Sequence, residues 1–549
     1  MGAFNFLGNS FGKSCCLIGI LLPLLSASTG HAVSQVAGHG DAAGCTALLG
    51  KIVAPNSVIQ SAQYMPEGGT VGTTKIALPF CRITGIAMPT GDSRIGFEVW
   101  LPPAAGWNGK FQGEGSGGSA GSISAGAMLE ALKAGYATMS TDNGHITDTK
   151  QPNGGSEQTW ALGHSERMLD FAFRALHLST VAAKQVVRDF YGRPSLRSYF
   201  VGCSQGGHHA MMEASRYPAD YDGIVAGAPA WHWANQMINA TWNSQAALKD
   251  PSAITAQSAQ ILNTAIIAAC DRLDGVEDGM ISDGRRCQFD PASLLCKPGA
   301  STDACLTQPQ IDAAMRIYRG VHKSDGTALF QGFARGSELK WPNMWASKTP
   351  GGSSWDFWRY SVFQDPKFNN VNFDFDRDAD RGLSAVHAGM TVADIYNVKP
   401  DLSAFRAHGG KLIIYHGWAD EQVTPYASLD FYSHIRAREG QARTASFLRL
   451  FMMPGLGHCQ GGPGPGNIGG ATPALSHDPD HDVVAALDAW VMKKRAPDML
   501  IAAHLDDGKK PDRTRPLCVF PREARYKGTG NINDAANFTC AVPTDIPPN

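Results

Sequence analysis

The sequence predicts an α/β fold built on a parallel-rich central sheet, with a large insertion that forms a lid. Short apolar strands alternate with amphipathic helices between Arg94 and Ala226, and the alternation resumes at Lys411. Such alternation is typical of a parallel sheet covered by helices on both faces. The intervening segment is rich in Trp, Asn, Gly and Cys and lacks the alternation. Because 549 residues exceed what one core usually supports, an inserted or second domain is expected.

The core elements follow one another along the chain in a regular order. The predicted strands are Arg94–Leu101, Lys110–Gln112, Tyr136–Ser140, Tyr199–Gly202, Ile224–Ala226, Lys411–Tyr415 and Ser446–Met453. A helix is predicted over Ser165–Tyr191, with Ser165 as its N-cap and Gly192 at its end. Further helices are expected after Ser204 and over Val483–Lys494.

Four segments result from this interpretation. They are a signal peptide (1–32), the first part of the core (33–230), the lid (231–400), and the second part of the core with a C-terminal tail (401–549). The signal peptide is predicted from Lys13, the apolar run after it and small residues up to Ala32. That run is shorter than the roughly 20 residues that span a bilayer. Secretion or a periplasmic location is therefore expected, and a retained N-terminal anchor is the alternative.

The net charge limits the partners that are expected, and the cysteine content predicts disulfides. A net charge of −2 gives no electrostatic reason to expect nucleic acid or an anionic membrane as a partner. Of 12 cysteines, two lie in the signal peptide, and an even set of ten in an exported chain suggests five disulfides. Local spacing favours the pairs Cys270–Cys287, Cys296–Cys305 and Cys518–Cys540.

The first chemical motif is Gly202-Cys203-Ser204-Gln205-Gly206, which fits the pattern G-x-S-x-G between a predicted strand and a helix. In that context the glycines allow a tight turn that exposes the Ser204 hydroxyl at the carboxyl edge of the sheet. The backbone N–H of Gln205, at the start of the helix, is placed to stabilise a developing oxyanion. Ser204 is therefore the candidate nucleophile.

A serine nucleophile needs a base, and the base needs an acidic group to orient it. In α/β-hydrolases these follow the serine in the order Asp or Glu, then His, each just beyond a strand. Asp420 and His458 have these positions. Glu421 is the alternative acid, and His477 and His481 are weaker alternatives for the base because they lead into a helix.

Two cysteines adjoin these residues: Cys203 precedes Ser204, and Cys459 follows His458. A bridge between them would hold their Cα atoms within about 4.4–6.8 Å. It would tie the nucleophile turn to the histidine loop. Two unrelated cysteines in these positions would require a double coincidence.

The order Cys-Ser, Asp, His-Cys resembles the CS-D-HC motif of the tannase and feruloyl esterase family. The resemblance extends to 174–184 (RALHLSTVAAK), 357–366 (FWRYSVFQDP) and the 417–425 turn. It implies an α/β-hydrolase core with a large lid, and hydrolysis of esters of aromatic acids. It also implies the pairs Cys45–Cys81 and Cys203–Cys459 besides the three local pairs. The family includes mono(2-hydroxyethyl) terephthalate hydrolases, so this substrate stays open.

A second oxyanion donor is expected in the Gly/Ser stretch 112–123 (QGEGSGGSAGSI), which is similar to the glycine-rich loop of the family. Ser116 interrupts the glycines, and Ser119 stands where the family has an aromatic residue. The donor is assigned to Gly117 or Gly118, with Gly118 slightly favoured. A plain flexible loop is the alternative.

The lid contains an acidic segment, CDRLDGVEDGMISDG, whose closely spaced carboxylates and glycine turns suit calcium. By resemblance to the calcium loop of the family, the ligands are the side chains of Asp271, Asp274 and Asp278 with the backbone carbonyls of Val276 and Met280. Such an ion is structural, because carboxylate-bound calcium does not activate water as zinc does. A solvated acidic loop is the alternative.

Taken together, the sequence predicts a secreted serine carboxylic-ester hydrolase that acts on a small feruloyl- or galloyl-type ester. Aromatic side chains of the lid are candidates for a stacking wall around the acyl group, or equally for the core of the lid: Trp341, Trp345, Trp355, Phe357 and Trp358. A terephthalate monoester hydrolase is the alternative activity. A non-catalytic polyphenol- or carbohydrate-binding protein on the same scaffold is the alternative from another class.

Overall fold

The central sheet of the computed structural model has ten strands. In chain order they are β1 (Ile52–Ala54), β2 (Ser57–Met65), β3 (Phe80–Ala87), β4 (Ile95–Leu101), β5 (Phe111–Glu114), β6 (Ala137–Thr141), β7 (Ser198–Cys203), β8 (Gly223–Gly227), β9 (Lys411–Gly417) and β10 (Leu448–Met453). Their spatial order is β1-β2-β3-β4-β6-β5-β7-β8-β9-β10. Strands β5 to β10 run parallel, whereas β1 to β4 pair in antiparallel fashion and β4 is antiparallel to β6. The predicted parallel-rich sheet is confirmed.

The structure describes residues 40–147, 157–299, 301, 303–346, 353–507 and 509–544. The predicted signal peptide, residues 1–32, lies outside them. Within these ranges no helix combines the length and the apolar character needed to cross a membrane.

Helices flank the sheet and build most of the insertion. Those before the insertion are α1 (Ala42–Thr46), α2 (Ala125–Lys133), α3 (Ser165–Leu169), α4 (Ala175–Tyr191) and α5 (Gln205–Arg216). The insertion contains α6 (Trp233–Lys249), α7 (Ala256–Cys270), α8 (Gln308–Arg319), α9 (Trp341–Trp345), α10 (Ser353–Asp356), α11 (Asp378–Ser384) and α12 (Val392–Tyr396). After it come α13 (Ser403–Ala407), α14 (Pro425–Glu439), α15 (Gln441–Phe447) and α16 (Val483–Lys493).

The helix predicted over Ser165–Tyr191 is interrupted. A π-helical turn, Asp170–Arg174, separates α3 from α4, and the buried carboxylate of Asp170 accepts from Arg174 Nε at 2.5 Å. The predicted N-cap is wrong by one residue, because His164 occupies the cap position, where Asp92 holds its ring (Nδ1–Oδ1 2.6 Å). The predicted end is confirmed: Gly192 has a left-handed conformation (φ 69°).

The insertion leaves the sheet after β8 and returns before β9. Its described strands pair only among themselves, as Val321–His322 with Ala328–Phe330 and as Val386–His387 with Met390–Thr391. It has an apolar cluster of its own, which includes residues of α7, α8 and α9. Other apolar residues of the insertion, such as Trp358, belong to the main core cluster. The insertion is thus packed onto the core, while its outer part has a separate core.

The C-terminal tail forms two antiparallel ribbons. Met499–Leu505 pairs with Pro511–Cys518, and Glu523–Tyr526 pairs with Phe538–Ala541. The Cys518–Cys540 disulfide joins the two ribbons. The tail also contacts the insertion, where the buried guanidinium of Arg515 forms an ion pair with Asp278.

All five predicted disulfides are present. The pairs are Cys45–Cys81, Cys203–Cys459, Cys270–Cys287, Cys296–Cys305 and Cys518–Cys540, with Cα–Cα distances of 5.0–6.0 Å. Five disulfides are typical of a protein that folds in an oxidising compartment.

Candidate active site

The nucleophile turn connects β7 to α5 and holds Ser204 in a strained conformation (φ 62°, ψ −122°). A positive φ is uncommon for a residue with a side chain and persists only where the surroundings enforce it. Here the Ser204 N–H donates to the carbonyl of Gly227 at 3.0 Å. Gly202 permits the tight turn, because a Cβ on it would lie 2.4 Å from the carbonyl oxygen of Gly206.

Ser204, His458 and Asp420 meet at the carboxyl edge of the parallel strands. The Ser204 hydroxyl lies 2.7 Å from His458 Nε2, and His458 Nδ1 lies 2.8 Å from Asp420 Oδ2. Asp420 follows the end of β9 at Gly417, and His458 follows the end of β10 at Met453. This is the hydrogen-bond order that lets an imidazole take a proton from a serine while a carboxylate fixes its tautomer.

The alternative candidates are placed differently. The hydrogen bond of Glu421 goes to the backbone of His458, whose N–H donates to Glu421 Oε2 at 3.3 Å. His477 and His481 form pairs with nearby aspartates, at 2.9 Å each. The structure therefore brings Asp420, and not Glu421, to the imidazole of His458.

The electrostatics of the site favour an ionised acid and a basic imidazole. Burial alone would raise the pKa of Asp420, but His458 and His416 together lower it well below its usual range. Burial lowers the pKa of His458, but the charge and the hydrogen bond of Asp420 and the charge of Glu421 together raise it more, so the net shift is upward. A raised pKa makes His458 a stronger base for the Ser204 proton.

His416 is a residue of this site that the sequence analysis missed. It is the sixth residue of β9, is fully buried, and places Nε2 at 3.2 Å from Asp420 Oδ2. The signal was its position four residues before the acid, in His416-Gly417-Trp418-Ala419-Asp420. A histidine at the end of a buried strand needs a polar partner, and the adjoining turn supplies one.

The glycine loop lies against the nucleophile turn, as the oxyanion assignment requires. A Cβ on Gly115 would come within 2.6 Å of Gly206 Cα, so the two backbones are in direct contact. Beyond this contact, a Cβ on Gly117 or Gly118 would meet no atom within 4 Å, so both residues border open space. Ser116 is buried, and its Oγ accepts from Asn143 Nδ2 at 2.9 Å, which explains a serine among the glycines.

The other expected donor is at the start of α5. Gln205 is the first residue of this helix. The first N–H groups of a helix have no intrahelical acceptor and carry the positive end of its dipole. The Gln205 N–H is therefore available to an oxygen bound beside Ser204.

The disulfide between Cys203 and Cys459 joins the turn that carries Ser204 to the loop that carries His458. The two Cα atoms lie 6.0 Å apart, although the cysteines are 256 residues apart in sequence. Cys459, like Ser204, has a positive φ (60°). The bridge thus joins Cys459, which follows His458, to the residue that precedes Ser204, and a residue with positive φ lies at each end.

The lid aromatics do not form an exposed wall. All five candidate side chains are at most 5% exposed: Trp341, Trp345, Trp355, Phe357 and Trp358. Trp341 packs against Tyr318 within the lid cluster, and Trp358 donates its indole N–H to Thr241 Oγ1 at 2.8 Å. Trp341 and Trp345 belong to the separate cluster of the insertion, and Phe357 and Trp358 belong to the main core cluster, so these side chains contribute to packing.

The predicted calcium residues lie in the loop after α7 that the Cys270–Cys287 disulfide closes. The Asp271 carboxylate accepts the N–H groups of Asp278 at 3.1 Å and of Gly279 at 2.9 Å. Asp274 accepts the N–H of Val276 at 3.0 Å and also bonds the hydroxyl of Ser282. The carboxylates thus fold the loop around themselves through backbone N–H groups.

The carboxylate of Asp278 supplies the kind of donor atom, an oxygen, that a hard cation prefers. Its Oδ2 forms the ion pair with Arg515, whereas its Oδ1 is buried without a hydrogen-bond partner. Burial raises the pKa of Asp278 to about 6, Arg515 opposes this, and the charge of Asp274 adds to it. Across the described ranges, however, no three His, Cys, Asp or Glu side chains converge on one ion position. The carboxylates therefore need to move for three of them to share an ion.

Comparison with known proteins identifies the family of this chain. The family model of tannase and feruloyl esterase matches residues 81–541. The chain belongs to the tannase and feruloyl esterase family. It is accordingly a carboxylic ester hydrolase, and the fold and enzyme class predicted from the CS-D-HC resemblance are confirmed.

Relatives of this esterase extend over almost its whole length. An uncharacterized esterase of Xanthomonas campestris pv. campestris is 36% identical over 96% of this chain and 94% of its own. The mono(2-hydroxyethyl) terephthalate hydrolase of Piscinibacter sakaiensis is 33% identical over 91% of this chain and 92% of its own. The crystal structure of feruloyl esterase B from Aspergillus oryzae superposes with a TM-score of 0.83 at 29% identity, covering 91% of this chain and 100% of that chain. The fold is that of the α/β-hydrolase esterases.

Proposed function

We propose that this esterase hydrolyses esters of aromatic carboxylic acids, of feruloyl or galloyl type, through a covalent acyl-enzyme. The observation that carries the proposal is the continuous hydrogen-bond chain from Asp420 through His458 to Ser204. Ser204 Oγ attacks the ester carbonyl while His458 Nε2 accepts its proton, and Asp420 stabilises the imidazolium that forms. His458 then protonates the leaving alcohol.

In the second half of the cycle His458 activates a water molecule, which attacks the acyl carbonyl and releases the acid from Ser204. In both halves the negative carbonyl oxygen binds the N–H of Gln205 and that of Gly117 or Gly118, with Gly118 favoured. Each such donor contributes about 10²–10³-fold to kcat in comparable sites.

Replacing Ser204 tests this mechanism directly. Ser204→Ala is expected to lower kcat by roughly 10⁴-fold or more, since the remaining site has no nucleophile. Ser215→Ala, in the same helix α5, is the matched control, because the Ser215 hydroxyl bonds only the carbonyl of Lys399. Hydrolysis of methyl ferulate and the melting temperature are measured for both variants. Retention of more than a tenth of the activity in folded Ser204→Ala would refute the serine mechanism.

The aromatic acyl preference is supported by relatives, one of which is named feruloyl esterase B. A panel of methyl ferulate, methyl gallate and an aliphatic methyl ester of equal length tests it through kcat/KM. We expect at least one aromatic ester to exceed the aliphatic ester by more than tenfold. Equal values would contradict the proposal and leave a general esterase.

A second candidate activity is hydrolysis of mono(2-hydroxyethyl) terephthalate. The 33% identity to a terephthalate monoester hydrolase over 91% of this chain favours it. Adding this monoester to the same panel distinguishes the two, since the feruloyl and terephthaloyl groups differ in their second polar group. The substrate with the highest kcat/KM identifies the activity.

We further propose that the acidic lid loop binds one structural calcium ion. Asp271, Asp274 and Asp278 would supply carboxylate oxygens, and Val276 and Met280 would supply backbone carbonyls. A divalent cation would offset the mutual repulsion of these buried carboxylates and give the unpaired Asp278 Oδ1 a partner.

Export completes the proposal. Residues 1–32 have the features of a signal peptide, and the five disulfides are typical of an oxidising compartment. We therefore propose that the mature enzyme begins at Val33 and acts in the periplasm or outside the cell. Cell fractionation and N-terminal sequencing of the enzyme purified from its natural host test this. An intact Met1 on the active enzyme would contradict it.

A further inference from the structure

His416 makes three polar contacts behind the Ser204–His458–Asp420 chain. Its Nε2 lies 3.2 Å from Asp420 Oδ2 and 2.9 Å from the carbonyl oxygen of Val423. Its Nδ1 lies 2.7 Å from the hydroxyl oxygen of Ser428, in α14. Both His416 and Ser428 are fully buried, so water does not compete for these bonds.

The identity of these partners fixes the tautomer of His416. The carboxylate of Asp420 and the carbonyl of Val423 are both acceptors, so Nε2 must carry a hydrogen. A neutral imidazole then has an acceptor at Nδ1, which takes the hydrogen of the Ser428 hydroxyl. A neutral ring in this tautomer has one N–H for two acceptors, so the Nε2 hydrogen is shared between the carbonyl of Val423 at 2.9 Å and the carboxylate of Asp420 at 3.2 Å.

Asp420 receives hydrogen bonds at both of its oxygens. Oδ1 accepts the backbone N–H groups of Gln422 at 2.8 Å and Val423 at 2.9 Å. Oδ2 accepts from His458 at 2.8 Å and from His416 at 3.2 Å. The backbone bonds anchor one oxygen, and His416 and His458 are the two donors to the other.

We propose that His416 is a positioning residue for ester hydrolysis, whose Nε2–H holds Asp420 Oδ2 toward His458 throughout the catalytic cycle. This inference rests on the triad proposed above. His416 touches neither the nucleophile nor the base, and it acts through Asp420. Its loss weakens the orientation of His458, and the rate falls because the base is no longer aligned with the Ser204 hydroxyl.

Two amide substitutions separate this role from simple packing. The side-chain nitrogen of glutamine reaches about as far as Nε2 of histidine, whereas that of asparagine reaches only as far as Nδ1. His416→Gln retains a donor toward Asp420, and His416→Asn removes it while leaving a polar side chain. We expect His416→Asn to lower kcat for the methyl ester substrate about 10- to 100-fold, the range for a lost hydrogen bond to a charged group, with KM changed less than about twofold. His416→Gln should stay within about threefold of the wild type.

A double-mutant cycle shows whether the effect passes through the acid. In the Asp420→Asn background, His416→Asn should cause no further loss of kcat, because the carboxylate that it positions is absent. Equal activities of folded His416→Asn and His416→Gln, or additive losses in the cycle, would overturn the inference. If His416→Asn does not fold, His416→Met carries the same cycle, since its unbranched side chain is close to glutamine in length and has no N–H donor. A kcat of folded His416→Met equal to that of His416→Gln would overturn the inference equally.

Failure of this inference and failure of the proposed mechanism give different results. If Ser204→Ala is inactive while the His416 variants behave alike, the triad stands and only the positioning role falls. If Ser204→Ala remains active, the triad itself is wrong.

Discussion

The catalytic edge of the sheet and the acidic loop of the lid are assembled in opposite ways. Ser204 is more than 200 residues away from both Asp420 and His458 in sequence, yet the three residues are linked by hydrogen bonds of 2.7 and 2.8 Å. Asp271, Asp274 and Asp278 lie within eight residues of one another, yet they do not converge on one point. At the sheet edge, parallel strands place the residues that follow them side by side. The lid loop has no such strands to position its residues. Its carboxylates accept hydrogen bonds from nearby backbone N–H groups instead.

Buried carboxylates in the two regions also differ in their electrostatics. Burial raises the pKa of Asp278 to about 6, and Arg515 only partly offsets this. The more deeply buried Asp420 has its pKa lowered, because two histidines and two backbone N–H groups surround it. The number of donors supplied by the chain, rather than burial itself, decides whether the pKa of a carboxylate rises or falls.

The largest predicted effect separates Asp420 from its neighbour Glu421. Asp420→Asn should lower kcat by about 10³–10⁴-fold, because an amide no longer stabilises the imidazolium of His458. Glu421→Gln should lower it by less than about tenfold, since the amide oxygen can still accept the backbone N–H of His458. Both variants are compared by kcat at equal folded fraction. A larger loss of kcat in Glu421→Gln than in Asp420→Asn would show that Glu421, and not Asp420, is the acid that orients His458.

The next effect concerns the bridge at the catalytic edge. Cys203→Ala/Cys459→Ala should lose about 10- to 100-fold in kcat at temperatures where circular dichroism shows a folded protein, because a misplaced base costs this much. The control is Cys296→Ala/Cys305→Ala, which removes a bridge confined to the lid. The control should keep its kcat even if its melting temperature falls. Equal kcat values for the two double variants would show that Cys203–Cys459 is a stabiliser only.

A smaller effect is the pH dependence of kcat/KM. His458 must be neutral to accept the Ser204 proton, and the Asp420 carboxylate raises its pKa above the ordinary 6.5. Activity should therefore be full at high pH and fall tenfold per unit below a midpoint that lies above 6.5. In Asp420→Asn the midpoint should move down, because burial without the charge lowers the pKa of His458. A midpoint that stays in place in this variant would contradict the coupling.

The smallest effect on catalysis is expected in the lid loop. Chelation of calcium should lower the melting temperature by a few degrees, because an ion bound only by the folded state stabilises it. Asp274→Asn should show the same lower melting temperature without a further response to chelator, while kcat at 25 °C stays within about twofold. Elemental analysis checks the ion itself. Unchanged melting in chelator, with no calcium in the protein, would leave a solvated acidic loop.

The apolar pattern of short stretches of sequence predicted some elements of the fold and missed others. The parallel strands β7 to β10 are short apolar runs because both of their faces are buried. The antiparallel strand β2 was missed, since its register shifts at Gln60 and exposed residues, Gln60 and Gln63, interrupt the alternation of its burial. The π-helical turn Asp170–Arg174 was missed, because apolar periodicity does not distinguish one such turn from a continuous α-helix.

The candidate site was predictable to the extent that its residues stand next to strands. Ser204, Asp420 and His458 each follow a strand end, and cysteines mark two of them. His416 was missed because it lies within an apolar strand, where it resembles an ordinary core position until Asp420 is placed beside it. The burial of Trp341 and Trp358 could not be predicted either, since composition does not distinguish the core of a lid from its inner surface.

The order of the five disulfides along the chain has a consequence for how the enzyme is made. Four bridges join cysteines that are neighbours in sequence, but Cys203–Cys459 encloses both Cys270–Cys287 and Cys296–Cys305. Synthesis proceeds from the N-terminus, so Cys203 meets four other thiols before its partner emerges. An oxidase that joined cysteines in the order in which they emerge would bond Cys203 to Cys270. The later cysteines of the lid would then form wrong pairs as well. Correct pairing then depends on thiol–disulfide exchange, so a disulfide isomerase in the host should determine the yield of active enzyme.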